Sequence, residues 1–488
     1  MEKYFEKYRA NTIGSDLKMQ TPYGEKKVIY ADWIASGRLY LPIEKKIQEV
    51  FGPWVANTHT ETSETGTLMT KSYHWAHQII KKHVNASQDD ILITNGNGMT
   101  SVVNKFQRIL GLKSCGIITQ GKCMQKKDNK PVVFITHMEH HSNQTSWLET
   151  NADVVVLEPN KDLTVSTEEL QRQLDKYQDR SVKIGSFTSC SNVTGVHTNY
   201  HLLAKIMHQN NGLCFVDFAA NAPYEEMNMH PKDPEESLDA IFFSPHKFLG
   251  GPGSSGVLLF NKKLYANKTP DHPGGGTVDW TNPWGEYKYI DNIEAREDGG
   301  TPGFLQAIRV ALSIKLKEEI GIENMAKREQ QLVEKAFRLF SPIKSLQILS
   351  ENIKDRLGIF SFYMENIHYN LVVKILNDRF GIQVRGGCAC AGTYGHYLMG
   401  ITSDVSREIT EKISRGDLSS KPGWVRLSLH PTMTNQELEY TAKALTALEE
   451  NIHLWEKDYI YNPKNNEFKN KKEIENKIDL VKDWFEFS

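Results

Sequence analysis

The chain lacks net charge, disulfide-level cysteine and any long apolar run, and each shortage excludes something. Formal net charge is −2 over 488 residues, so no global field draws the protein to nucleic acid or to an anionic lipid surface. Its six cysteines (Cys115, Cys123, Cys190, Cys214, Cys388 and Cys390) are too few for a disulfide framework in a chain this long. No apolar run is long enough to span a bilayer. The start, Met1-Glu2-Lys3-Tyr4-Phe5-Glu6-Lys7, mixes both signs and has no apolar h-region, which argues against a secretory signal. These absences lead to the expectation of a cytoplasmic protein with no nucleic-acid or membrane partner. Cys388 and Cys390 form C-x-C with no second pair at zinc spacing, so no metal site is expected. No internal repeat is visible.

What is present is a run of short apolar strands, each ending in a polar cluster. The chain is organised around Ile241-Phe242-Phe243-Ser244-Pro245-His246-Lys247, followed by the glycine-rich turn Gly250-Gly251-Pro252-Gly253. Lysine is costly to bury unless its pKa falls, so a lysine at the mouth of a buried strand is a candidate Schiff-base nucleophile. A surface lysine at a strand end is the plainer alternative. Further apolar runs end at Asn95-Gly96-Asn97-Gly98-Met99-Thr100, at His137-Met138-Glu139-His140-His141, at Ser189-Cys190-Ser191-Asn192 and at Asp217. The first is a strand, glycine turn and helix, which presents free N–H groups to a phosphate but lacks the P-loop lysine. The histidines suit metal ligation, ring stacking or a satisfied polar cluster.

Strands separated by helices predict a mostly parallel α/β sheet, in which ligands bind at the strands' carboxyl ends. The polar clusters around 98, 140, 192, 217 and 247 fall on one such edge. Helical patterning covers 41–87, broken at the polar loop around Asn57 to Glu61. Residues 111–130 read as an exposed, lysine-rich insertion. Beyond 260, glycine loops at His272 to Thr277 and Arg296 to Pro302 precede two long helices, and strands and helices alternate over 340–450. Expected boundaries are an N-terminal arm at 1–27 packing with a small domain, a large domain at 28–300, that small α+β domain at 301–459, and a charged extension at 460–488. In that extension Ile478, Val481 and Trp484 form an apolar stripe.

Ordered motifs then carry a resemblance. They are Met138-Glu139-His140-His141-Ser142-Asn143, Ser191-Asn192-Val193-Thr194-Gly195, Val216-Asp217-Phe218-Ala219, Ser244-Pro245-His246-Lys247, Gly274-Gly275-Gly276-Thr277 and Val384-Arg385-Gly386-Gly387-Cys388. In that order, over roughly 28–435, the sequence resembles the class V aminotransferase-type enzymes that depend on pyridoxal 5′-phosphate (PLP), near the cysteine desulfurase and selenocysteine lyase branch. The resemblance implies PLP-dependent transferase fold type I, with a seven-stranded sheet between helices. It implies that Lys247 carries the cofactor and moves protons at the substrate Cα. Ser244, His246, Gly98, Met99 and Thr100 would hold the phosphate, and Thr277 would reach it from the other subunit of a homodimer with its active site at the interface. His140 would stack on the ring, Asp217 would pair with the ring nitrogen, and Asn192 would lie near the ring hydroxyl. Arg385 and Arg426 would bind the carboxylate of a small amino-acid substrate. Cys390 would take sulfur as a persulfide and pass it to an acceptor protein.

Elementary chemistry agrees. A carboxylate opposite the pyridine nitrogen keeps the ring an electron sink. A guanidinium fork matches a carboxylate. Thiolate reactivity is tuned by nearby positive groups, here Arg385 and His396. Two departures leave the reaction open. Ala220, followed by Asn221, stands where desulfurases commonly carry Gln or His. Cys388 is an added neighbour, and Ala391-Gly392-Thr393-Tyr394-Gly395-His396 is not the usual continuation. The alternative is a class V aminotransferase, lyase or epimerase using the same PLP site on another amino acid.

Overall fold

The computed structural model describes residues 1–113, 130–472 and 477–487. All but the ends of the expected 111–130 insertion, with Cys115 and Cys123, lies outside them. The centre is a seven-stranded sheet. In spatial order its strands are Asp90–Asn95, Gly256–Asn261, Ala240–Phe243, Leu213–Asp217, Lys183–Thr188, Val132–Ile135 and Asp153–Val156. Six run in one direction, and Gly256–Asn261 alone is reversed, pairing antiparallel with both neighbours. The expected mostly parallel sheet is therefore present with one antiparallel insertion.

Its inner strands are apolar because both faces are covered. Every residue of Val132–Ile135, Lys183–Thr188 and Ala240–Phe243 is buried, as parallel strands between helix layers require. On one face Phe134, Val216, Ile241 and Leu259 pack against Leu170, Leu203, Met207 and Val310 of three helices. On the other, Phe215, Phe242 and Leu258 pack against Val102, Val103 and Phe106 of the helix Met99–Ile109.

A second sheet of four antiparallel strands has the order Leu346–Ile348, Ile359–Met364, Trp424–Ser428 and Arg385–Gly387. Its core also takes in Phe5 and Tyr8 of the N-terminal helix Glu2–Ala10. Arg9 of that helix makes a two-pronged contact with Glu437 at 2.6 and 2.8 Å. The helices Phe304–Ile320 and Ile322–Phe340 meet at Gly321, whose φ of 83° a residue with a Cβ would resist.

Several local expectations change. The helical pattern over 41–87 resolves into a short helix, Leu41–Lys45, a wider turn over Lys46–Phe51 and a separate helix, Glu64–His83. Ser63 caps that last helix by accepting from the Gly66 N–H. Hairpins at Val278–Thr281 with Tyr287–Tyr289 and at Tyr459–Asn462 with Glu467–Asn470 were not anticipated. The apolar stripe at the end lies partly on the helix Lys477–Asp483, with Ile478 and Trp484 exposed.

Candidate active site

The carboxyl ends of the large sheet's strands surround a cavity of ≈ 220 Å³. It gathers Met99, Thr100, His140, Asn192, Asp217, Ser244, His246, Lys247, Arg385, Cys390 and Arg426. These come from both sheets, so the cavity lies where the two meet.

The anion end is built first. Gly98 starts the helix Met99–Ile109, and the Met99 N–H donates to Ser244 Oγ at 2.9 Å. A Cβ on Gly98 would lie 3.1 Å from Ser244 Oγ and 3.1 Å from His246 Cε1. Glycine is needed there for close approach, since its φ of 172° is ordinary extended backbone. Thr100 and Ser142 share a hydroxyl hydrogen bond of 2.7 Å, and His246 Nδ1 lies 2.9 Å from the Asn97 carbonyl. Hydroxyls, a neutral imidazole and a helix N-terminus make a phosphate cradle.

Asp217 ends its strand 2 % exposed, accepting from the Ala219 N–H at 2.8 Å. Burial raises its pKa to about 6, against the pull of that N–H and of Lys247. Among the described residues no ion pair within 4 Å involves Asp217, so its carboxylate is free to meet a cationic group in the cavity. Lys247 follows the strand Ala240–Phe243. Burial brings its pKa down to about 8, helped by Arg426 and Arg385 and opposed by Asp217 and Asp32. His140 accepts from the Ser142 N–H through Nδ1 at 3.1 Å, which leaves the proton on Nε2. Burial, then Lys247, lowers its pKa to about 3, so its ring is neutral. Neighbouring histidines have separate duties: His137 Nε2 meets the Leu163 carbonyl, and His141 Nε2 accepts from the Gly392 N–H.

Asp32 was not anticipated as a site residue. One oxygen accepts from Arg426 Nη2 at 2.9 Å and the other from Arg385 Nε at 3.1 Å. Arg426 is 3 % exposed, and its Nε, buried, has no hydrogen-bond partner among the described residues. One carboxylate thus holds both arginines beside the cavity, while a guanidinium has five N–H groups to offer. Glu139 was also missed as a site residue. Buried one residue before His140, it accepts from Thr136, the Thr188 N–H and Asn143 and ties two strand ends together.

The structure settles two points that the sequence left open or expected. Of the substitutes conceivable for the Gln or His absent at 220, Asn221 is not one. Its amide accepts from Ser189 at 2.6 Å and donates to Glu225 at 2.7 Å, while Ala220 faces the cavity. His396 does not serve Cys390, because its nitrogens meet the Gly392 carbonyl and Ser406. Thr277 is buried in its own loop, where its hydroxyl donates to the Gly274 carbonyl, and it does not line this chain's cavity.

The donor set fits PLP. An anion cradle, a buried carboxylate without a cation, a deprotonatable lysine, a flat neutral imidazole and an orphaned guanidinium N–H match its phosphate, ring nitrogen, aldehyde, ring face and substrate carboxylate in turn. Fold and site together define an enzyme of the type I PLP-dependent transferase class.

Comparison with known proteins gives the family. The aminotransferase class-V description matches residues 29–441, and the chain belongs to that family. A protein of Halalkalibacterium halodurans named a probable cysteine desulfurase is 27 % identical over 373 residues, 75 % of this chain and 84 % of its own. One of the same name in Staphylococcus aureus is 26 % identical over 371 residues, again 75 % and 84 %. Among solved structures, a cysteine desulfurase of Thermococcus onnurineus NA1 superposes with a TM-score of 0.72 at 21 % identity, covering 91 % of this chain and 98 % of that one. One of Escherichia coli gives 0.68 at 18 %, with the same coverage. These structures establish the likeness of fold.

Proposed function

We propose that this enzyme removes sulfur, or selenium, from L-cysteine or L-selenocysteine and leaves alanine and a persulfide (or its selenium counterpart) on Cys390. One observation carries the reading: Cys390, an exposed thiol, opens into the same cavity as Lys247, Asp217 and both arginines. The names of the relatives point the same way. Bound PLP supplies an electron sink for the bonds at the substrate Cα.

The chain's own groups do the rest. Arg426 and Arg385 take the substrate carboxylate, and Asp32 keeps them aimed. Lys247 in its neutral form accepts the Cα proton. The Cys390 thiolate attacks the substrate sulfur, so an S–S bond forms on Cys390 while the substrate's Cβ–S bond breaks. A proton delivered to Cβ completes alanine. His140 and Ser244 hold position and exclude water.

The proposal extends to a cytoplasmic homodimer that uses neither nucleic acid nor membrane and hands its sulfur to an acceptor protein. Thr277 would complete the neighbouring subunit's phosphate site. Exposed Trp54, Trp75 and Trp284 support this, because large apolar side chains at 44, 68 and 84 % exposure are surface that a second copy can cover.

A second reading, transamination, β-elimination or epimerisation of another amino acid, is favoured by Ala220, an apolar residue in the cavity lining where desulfurases commonly carry Gln or His. Alanine and sulfide assays of the PLP-loaded enzyme separate the two. The first reading expects alanine from cysteine or selenocysteine, lost in Cys390→Ala. No alanine from either substrate, or full activity in Cys390→Ala, rules it out.

A further inference from the structure

Cys390 and Cys388 face different spaces. Cys388 to Ala391 form a tight turn closed by the Ala391 N–H on the Cys388 carbonyl at 3.0 Å. Ala389 and Cys390, its central residues, have φ of 49° and 56°. Both are left-handed without being glycine, a conformation costing roughly 1 kcal/mol per residue. The turn is held from outside at two points. The His141 N–H donates to the Cys390 carbonyl at 2.7 Å, and Asn192 Nδ2 donates to the Ala389 carbonyl at 2.8 Å.

Cys390 lines the catalytic cavity together with Lys247, Arg385 and Arg426. Cys388 instead lines a second groove of ≈ 1260 Å³, beside Tyr369. The far wall of that groove is the hairpin Tyr459–Asn462 and Glu467–Asn470. That hairpin lies past residue 441, where the family match ends. It is anchored to the near wall by Asn370 Nδ2 on the Asn466 carbonyl and by Asn466 Nδ2 on Tyr369 Oη, each at 2.6 Å. The turn is therefore the partition between the cavity and a groove built by a segment beyond the matched family region.

We infer that Cys388 is a relay thiol that takes the sulfur from Cys390 and presents it in the second groove to an acceptor thiol. The inference rests on the desulfurase reading. The Cys388 thiolate attacks the outer sulfur of the Cys390 persulfide. One S–S bond forms on Cys388, the S–S bond on Cys390 breaks, and the proton lost by Cys388 ends on Cys390. The sulfur keeps its oxidation state, so neither oxidant nor reductant is consumed.

The test is one turnover of the PLP-loaded wild-type enzyme with sulfur-labelled cysteine, quenched by alkylation and mapped by fragment mass spectrometry, with alanine measured in the same sample. Label on Cys388 is expected. In Cys388→Ser it should stop on Cys390, with loss of rapid transfer to added glutathione. Alanine with label on Cys390 alone, and wild-type transfer in Cys388→Ser, overturns the relay and leaves the desulfurase reading standing. A Cys388–Cys390 disulfide with hydrosulfide released also overturns it, because attack then falls on the inner sulfur. Absence of alanine removes both.

Discussion

Lys247 sits where its amine loses its proton easily. With a pKa near 8 instead of 10.5, the neutral amine that reacts with an aldehyde is abundant at moderate pH. The apoenzyme should take up PLP faster as pH rises and level off above about 8. Rapid-mixing absorbance checks this, and a rate still climbing toward 10.5 would count against it. Asp217→Asn removes a charged partner of the ring nitrogen. At about 1.5–3 kcal/mol for such a bond, kcat/KM should fall roughly ten- to a hundredfold, read by steady-state kinetics. Asp32→Ala strands the buried Arg426 and should cost about 3 kcal/mol of stability, seen in denaturant unfolding, together with a raised KM. Asp217 was legible in the sequence because it ends an apolar strand, and Lys247 because it follows one within the Ser244-Pro245-His246-Lys247 motif. Asp32 was not, because its partners are 353 and 394 residues further along the chain.

At the scale of elements, the cysteine turn depends on its clamps. Asn192→Ala removes the hydrogen bond to the Ala389 carbonyl and frees the two left-handed residues to relax. Cys390 should then be alkylated faster by iodoacetamide in the resting enzyme, and an unchanged rate would show that the His141 contact suffices. The strands of the large sheet were readable because burial on both faces writes them as continuous apolar runs. The hairpin at Val278–Thr281 was not. Three of its four residues are exposed, so no apolar alternation marks it. Nor was the break in the helical pattern after Lys45, where apolar spacing continues through Ile47, Val50 and Phe51 although the backbone widens.

At the scale of the whole molecule, the exposed tryptophans make a prediction about assembly. Trp75→Glu places a charge on the surface proposed to meet a second copy. It should yield a monomer in sedimentation analysis with weaker PLP retention. A normal dimer with full retention would move the interface elsewhere.

The reversed strand Gly256–Asn261 carries a further consequence, for the order in which the protein is made. The strand Asp90–Asn95 emerges early from the ribosome but, among the described residues, pairs only with Gly256–Asn261. It must wait, unpaired, until a strand synthesised much later slides in beside it. Gly98 and Ser244 are brought together by that same late event. A half-translated chain therefore has no phosphate cradle to offer, and such long-range pairing is slow and exposes a bare strand edge in the meantime. By that order of assembly, PLP would find its cradle only in a chain whose large sheet is essentially finished, so the cofactor would go to completed molecules and not to nascent ones.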